Sequence, residues 1–143
     1  MSTIVKIDPQ SVEKIKREIL PGIVYTHFWN DLNLDHRLVA QAAATAFRPR
    51  PGGENVSLLQ FEVPESTYLS IPGGQKAFAP SYWVDISSTL SLKLKALAAY
   101  ASERREYPDL RSEKFPQKLA QRRGKMKNMK FAEAFVELKR SLS

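Results

Sequence analysis

The sequence predicts an α/β fold, and three observations predict it. Amphipathic helical stripes alternate with short β-branched and aromatic runs, Pro and Gly breaks separate them, and the composition is that of an ordinary globular domain. The chain has 143 residues, 43% hydrophobic and 26% charged, which fits one domain over 1–143 and excludes disordered, fibrous and disulfide-built classes.

Ser11-Val-Glu-Lys-Ile-Lys-Arg-Glu-Ile-Leu20 places Val12, Ile15, Ile19 and Leu20 on one stripe. Ser11 is the expected N-cap of this helix and Pro21-Gly22 its stop. Ile23-Val-Tyr-Thr26 follows as a buried parallel strand, and His27 to Asn33 as a loop. A second helix runs from Asp35-His36 to Phe47, with Leu38, Val39, Ala42, Ala43, Ala46 and Phe47 on one side and Arg48-Pro49 as its end. After a connector at Arg50 to Asn55, Val56 to Val63 reads as a strand and Ser66 to Leu69 as a weaker one. Ile71 to Pro80 is a loop, and Tyr82-Trp-Val-Asp-Ile86 a third strand. Ser87 or Ser88 then caps a helix carrying Leu90, Leu94, Leu97 and Ala98 and running to about Arg105. Pro108 breaks the chain, Ser112 to Arg123 forms a further helix with Pro116 in its first turn and Gly124 as its stop, and Phe131 to Lys139 suits either strand or helix.

There is no cysteine, which excludes disulfides, thiolate zinc sites and a thiol nucleophile, and His27 and His36 are the two histidines. No apolar run approaches the ~20 residues of a membrane span, and Met1 to Asp8 lacks the pattern of a secretory leader, so the expected address is the cytoplasm. No Gly-x-Ser-x-Gly elbow and no phosphate-cradling glycine loop is present. The net charge of +7 is unevenly placed: from Lys93 onward there are 14 Lys/Arg against 6 Asp/Glu. Such asymmetry fits an anionic partner or a solvated basic face. Nucleic acid is not the favoured partner, because Phe115 and Phe131 are the only aromatics near this run and no recognition module is evident.

The densest chemistry lies in His27-Phe-Trp-Asn-Asp-Leu-Asn-Leu-Asp-His36, which leaves the C-terminal end of a strand and enters a helix. Ligands of open α/β sheets bind at that place. Asp and His side by side there can supply a metal ligand and a carboxylate that orients its ring. Equally, Asp35 serves as an ordinary N-cap whose charge suits the helix start. Asp85, at the end of a strand, either reaches a site at the same sheet edge or caps the next helix.

In chain order, Ile23-Val-Tyr-Thr-His27, Asp31-Leu-Asn-Leu-Asp-His-Arg37, Ala42 to Pro49, Phe61-Glu-Val-Pro64, Ser66-Thr67, Val84-Asp-Ile-Ser87, Lys93 to Tyr100, Arg111-Ser112, Ala120 to Gly124 and Ala132-Glu-Ala-Phe135 resemble the LmbE-like deacetylases, the N-acetylglucosaminyl-phosphatidylinositol deacetylase family. The resemblance implies a Rossmann-like three-layer parallel sheet with flanking helices. It also implies zinc, and removal of acetyl groups from N-acetylglucosamine-type amino sugars by metal-activated water. By the same resemblance His36 is a zinc ligand, Asn33 and Asp35 are catalytic positions, and His27, Asp31, Arg37 and Arg111 lie toward the substrate. Asn33 stands where many relatives carry histidine; it can donate a hydrogen bond there but no proton.

The family's other ligands and its catalytic aspartate belong to a His-Pro-Asp-Asp-Glu motif that this sequence does not contain. The expected domain is therefore the later part of the family fold, incomplete relative to it, and the expected partners are an N-acetylated amino sugar and a completing chain or second copy. Pro108-Asp-Leu-Arg-Ser112 and Gly124-Lys-Met-Lys-Asn128 also depart from the family pattern, which tends to read Pro-His-Pro-Arg-Ser and Gly-Ser-x-x-Gly. The competing reading is a noncatalytic α/β interaction module that binds an anionic partner through its basic C-terminal third, with Arg122, Arg123 and Lys125 as contacts.

Overall fold

The computed structural model describes residues 9–48, 55–68, 77–100, 105–106 and 108–139. Helix α1 (Pro9–Ile19) opens on a proline, which suits a first helical position because that N–H has no intrahelical partner, so it starts before Ser11. Val12 packs against the buried cluster of Ala43, Ala46, Phe47, Val56 and Leu58. The rest of the expected stripe is not covered: Ile15, Ile19 and Leu20 are 54%, 67% and 70% exposed. Lys16 occupies the inner side instead. Its Nζ donates to the Ala46 carbonyl at 3.0 Å and lies 5.3 Å from the centre of the Phe47 ring.

Strand β1 (Ile23–His27) runs parallel to β2 (Ser57–Phe61), in register from Ile23 opposite Ser57 to His27 opposite Phe61. Helix α2 (Leu34–Ala46) connects them, and its small residues Ala40, Ala42, Ala43 and Ala46 are buried. The expectation of a buried β1 holds on one face only. Thr26 is buried, whereas Ile23 and Tyr25 are about half exposed, as alternating side chains require of a strand covered on one face. Residues 64–68 form turns where a weak strand was expected.

Strand β3 (Tyr82–Asp85) pairs antiparallel with β4 (Ala132–Lys139), which settles the ambiguity of the C-terminal segment as strand. Asp85 Oδ1 accepts from Ser87 N–H and the Ser87 hydroxyl, closing the turn ahead of α3 (Leu90–Ala98), whose N-cap is Thr89 rather than Ser87 or Ser88. The helix ends at Ala98, short of the expected Arg105. Ile86, Leu90 and Ala120 make a second buried cluster, joined by Val84, Leu94 and Phe131. Helix α4 (Lys114–Lys125) continues through Gly124, which is not its stop.

The four strands lie in the order β1-β2-β4-β3, so the α/β class holds, with a mixed rather than wholly parallel sheet. The chain divides into two units, Met1–Phe78 with Val136–Ser143, and Ala79–Phe135. No helix among the described residues is long and apolar enough to cross a membrane. The readings for Met1 to Asp8, the stop at Pro49, the connector at 50–54, Leu69 and the loop at 71–76 lie outside the described residues.

Candidate functional site

The site belongs to the first unit and is built where β1 ends and α2 begins. Phe28 turns inward, 3% exposed, with its ring edge-on to Phe78 at 5.2 Å. That anchor holds the loop while Asp31 N–H donates to the Phe28 carbonyl at 3.2 Å. Asn33 is the N-cap of α2, its Oδ1 accepting from Asp35 N–H at 2.9 Å. The cap therefore falls two residues before the position that composition favoured. Arg37 closes the loop from within the helix, Nη1 donating to the carbonyls of Asp31 at 2.7 Å and Leu32 at 2.9 Å.

Asp31 is fully buried, and both carboxylate oxygens are engaged. Oδ1 accepts from Asn33 N–H at 2.9 Å and lies 3.1 Å from His36 Nδ1, while Oδ2 accepts from the Thr67 hydroxyl at 2.6 Å. Thr67 is fixed in turn by accepting Val63 N–H at 2.8 Å, and Ser66 Oγ lies 3.3 Å from His36 Nδ1. Burial pushes the Asp31 carboxyl upward. Hydrogen bonds from Thr67, Ser66, Asn33 N–H and His36 outweigh it and hold the group below its ordinary value, so Asp31 is an anion. An anion can only accept, so the contact is a hydrogen bond donated by His36 Nδ1–H to Asp31.

His27, the last residue of β1, stacks on His36 with ring centroids 4.1 Å apart and 15° between planes, and meets Phe61 at 4.8 Å. Its Nδ1 is buried without a hydrogen-bond partner among the described residues. Burial first, then the neighbouring His36 ring, lower its pKa against the opposing pull of Asp31. His27 is thus kept neutral.

Six of the seven residues singled out from the sequence share this segment. Asp31 lies behind His36, with no surface of its own, and His36 is reachable from solvent, its side chain 22% exposed. Asn33 and Asp35 are exposed at the helix start, and Arg37 is committed to the loop carbonyls. Arg111 belongs to the second unit, exposed in the turn before α4, with its N–H donating to Asp109 Oδ1 at 2.7 Å. The residues that sequence reasoning left without a role are Ser66 and Thr67, which lie 30 and 36 positions beyond the side chains they meet. Their only sequence signal was membership of a matching block.

A histidine whose second nitrogen is held by a buried carboxylate is the usual form of a metal ligand with its orienting partner. A whole zinc centre needs more. Among the described residues no group of three or more His, Asp or Glu side chains could hold a metal ion, so the residues present fit one ligand position and not a complete site.

No family model matches this chain, and no curated protein does. Solved structures do. A conserved protein of Thermus thermophilus, TT1542, superposes with a TM-score of 0.66 at 22% identity, over 94% of this chain and 59% of its own. GalB, the 4-carboxy-2-hydroxymuconate hydratase of Pseudomonas putida, superposes with a TM-score of 0.64 at 20% identity, again over 94% of this chain and 59% of its own. The chain therefore shares the fold of these proteins and spans 59% of their length.

Proposed function

We propose that this chain carries one part of a hydrolytic site of the LmbE-like N-deacetylase type, acting on N-acetylated amino sugars. The single observation that carries the reading is the Asp31–His36 pair at the carboxyl end of β1. A buried anion accepts from Nδ1 and orients the ring of a solvent-reachable imidazole at the place where α/β sheets bind ligands. His36 is the zinc ligand these residues would contribute, and the remaining ligands would come from outside the described residues.

The other residues fit roles that need no metal. Asn33 spends its side-chain oxygen on the helix cap, which leaves its amide N–H groups to donate toward an acetamido carbonyl. His27 stacks beside His36, and its lowered pKa keeps a further positive charge away from that ring. Asp35 lies in the first turn of α2, exposed beside His36. Arg37 stiffens the loop that positions them all.

The experiment is a zinc titration of the full chain followed by 15N NMR of the two imidazoles, repeated in His36→Ala and Asp31→Asn. The expected result is a shift of His36 Nε2, loss of the site in His36→Ala, and about 10-fold to 100-fold weaker zinc in Asp31→Asn, the usual effect of removing a ligand's orienting partner. N-acetylglucosamine added with zinc should show saturation transfer to its acetyl methyl, lost in Asn33→Ala. Zinc that perturbs neither imidazole, or binds His36→Ala as well as the parent, overturns the assignment.

A further inference from the structure

We propose that the solvent face of α4 is a docking surface for the phosphate backbone of double-stranded nucleic acid, bound without regard to sequence. This does not rest on the hydrolytic reading. Ala120 and Gly124 are buried and fix the inner side of the helix. At 100° per residue, Lys114, Lys118, Arg122 and Lys125 fall within about 80° of arc on the opposite side. All four are exposed. They succeed one another by about one turn, each about 6 Å along the axis or slightly less, over about 16 Å in total.

What shares that face decides the partner. Within α4 there is no acidic residue, Glu113 at its N-cap being exposed beside Lys114, and the other exposed residues of the helix are Gln117 and Gln121. A membrane-binding helix flanks its cations with Trp, Phe or Leu, and a protein-docking face carries apolar or aromatic anchors. Here Phe115 and Leu119 are half-buried at the margin, and no apolar or aromatic residue from Lys114 to Lys125 is exposed. Lys, Arg and Gln are side chains that contact phosphate and sugar. Each strand of a duplex adds a phosphate for about every 3.4 Å of its axis, so a row of cations about 16 Å long has several phosphates within reach. The absence of aromatic platforms, which told against nucleic acid in the sequence, counts only against base stacking on single strands, not against backbone contact with a duplex.

The test is fluorescence anisotropy of a labelled random-sequence DNA duplex with the full chain, from about 50 mM to about 200 mM salt. The expected slope of log K against log salt is about −3 to −4, the value for three or four phosphates neutralised. Lys118→Glu with Arg122→Glu should weaken binding at least about tenfold and flatten the slope by about two. The milder Lys118→Gln with Arg122→Gln should flatten it equally and guards against misfolding. Lys14→Glu with Arg17→Glu on α1 makes the same change in net charge and should leave the slope unaltered. The proposal is overturned by no binding at the lowest salt, by equal losses in the α4 and α1 pairs, or by tighter binding to phosphatidylserine vesicles or polyglutamate than to the duplex.

Discussion

Asp31 has no exposed surface, and four groups donate to it or lie against it, so the state of this residue is coupled to folding. Its folded pKa lies below the ordinary 3.8, so the anion stabilises the fold above that pH and the contribution is lost as pH falls through and below it. His27 acts in an earlier window. Its folded pKa lies below the ordinary 6.5, so on acidification the unfolded chain takes up a proton before the folded chain does, and stability falls from about pH 6.5 downward. Urea midpoints measured across pH should therefore decline in two stages. His27→Phe should remove the first stage and Asp31→Asn the second; a midpoint unchanged between neutral pH and about pH 5 would sink the His27 argument. How much of this was legible follows from distance along the chain. The loop from His27 to His36 put every local partner in view, because a strand end, a cap and a first helical turn fix one another within that short stretch. Thr67 and Ser66 are invisible as partners in the sequence, since nothing local says that a turn 36 residues later will close over Asp31.

At the scale of elements, apolar periodicity located the helices, and tertiary contacts decided where they end. In the sequence Gly124 suggests a stop, because glycine often follows a helix. It lies inside α4 instead, because the chain passes so close there that an added Cβ would sit 2.5 Å from the Met129 carbonyl oxygen. The Gly124 carbonyl also accepts Lys127 N–H and Met129 N–H, both at 2.9 Å. Leu20 is the converse case. It follows α1 at φ 50°, a left-handed conformation that costs a side chain with a Cβ about 1–2 kcal/mol, and it is 70% exposed, so its own packing returns little. Opposite outcomes are expected from the two positions in thermal or urea unfolding. Gly124→Ala should destabilise by about 1–3 kcal/mol through overpacking. Leu20→Gly should stabilise by about 0.5–1 kcal/mol, the relief of strain less the added freedom of the unfolded chain. A neutral Gly124→Ala would mean that residues 129–131 yield where the backbone contact is closest.

For the molecule as a whole, the apolar surface that α1 and β1 leave in solvent matters more than composition. Ile15, Ile19, Leu20, Ile23 and Tyr25 are all exposed by more than half, and β1 stands at one end of the strand order. The sequence did not foretell this, because a β-branched run after a Pro-Gly break reads the same in a central strand as at an edge. An edge with exposed Ile and Tyr is a template for another strand, and natural proteins guard such edges with lysine or proline. None guards β1, whose residues are Ile-Val-Tyr-Thr-His. The chain is therefore expected to associate with itself through this edge. Ile23→Lys and Tyr25→Lys each place a charge on the exposed face without touching the packing of Val24 or Thr26. In sedimentation velocity the parent should shift to larger species as concentration rises, and either variant should remain a monomer with its far-ultraviolet circular dichroism unchanged. A parent that stays monomeric at every concentration would overturn this, and would mean that the β1 edge is covered from within the chain.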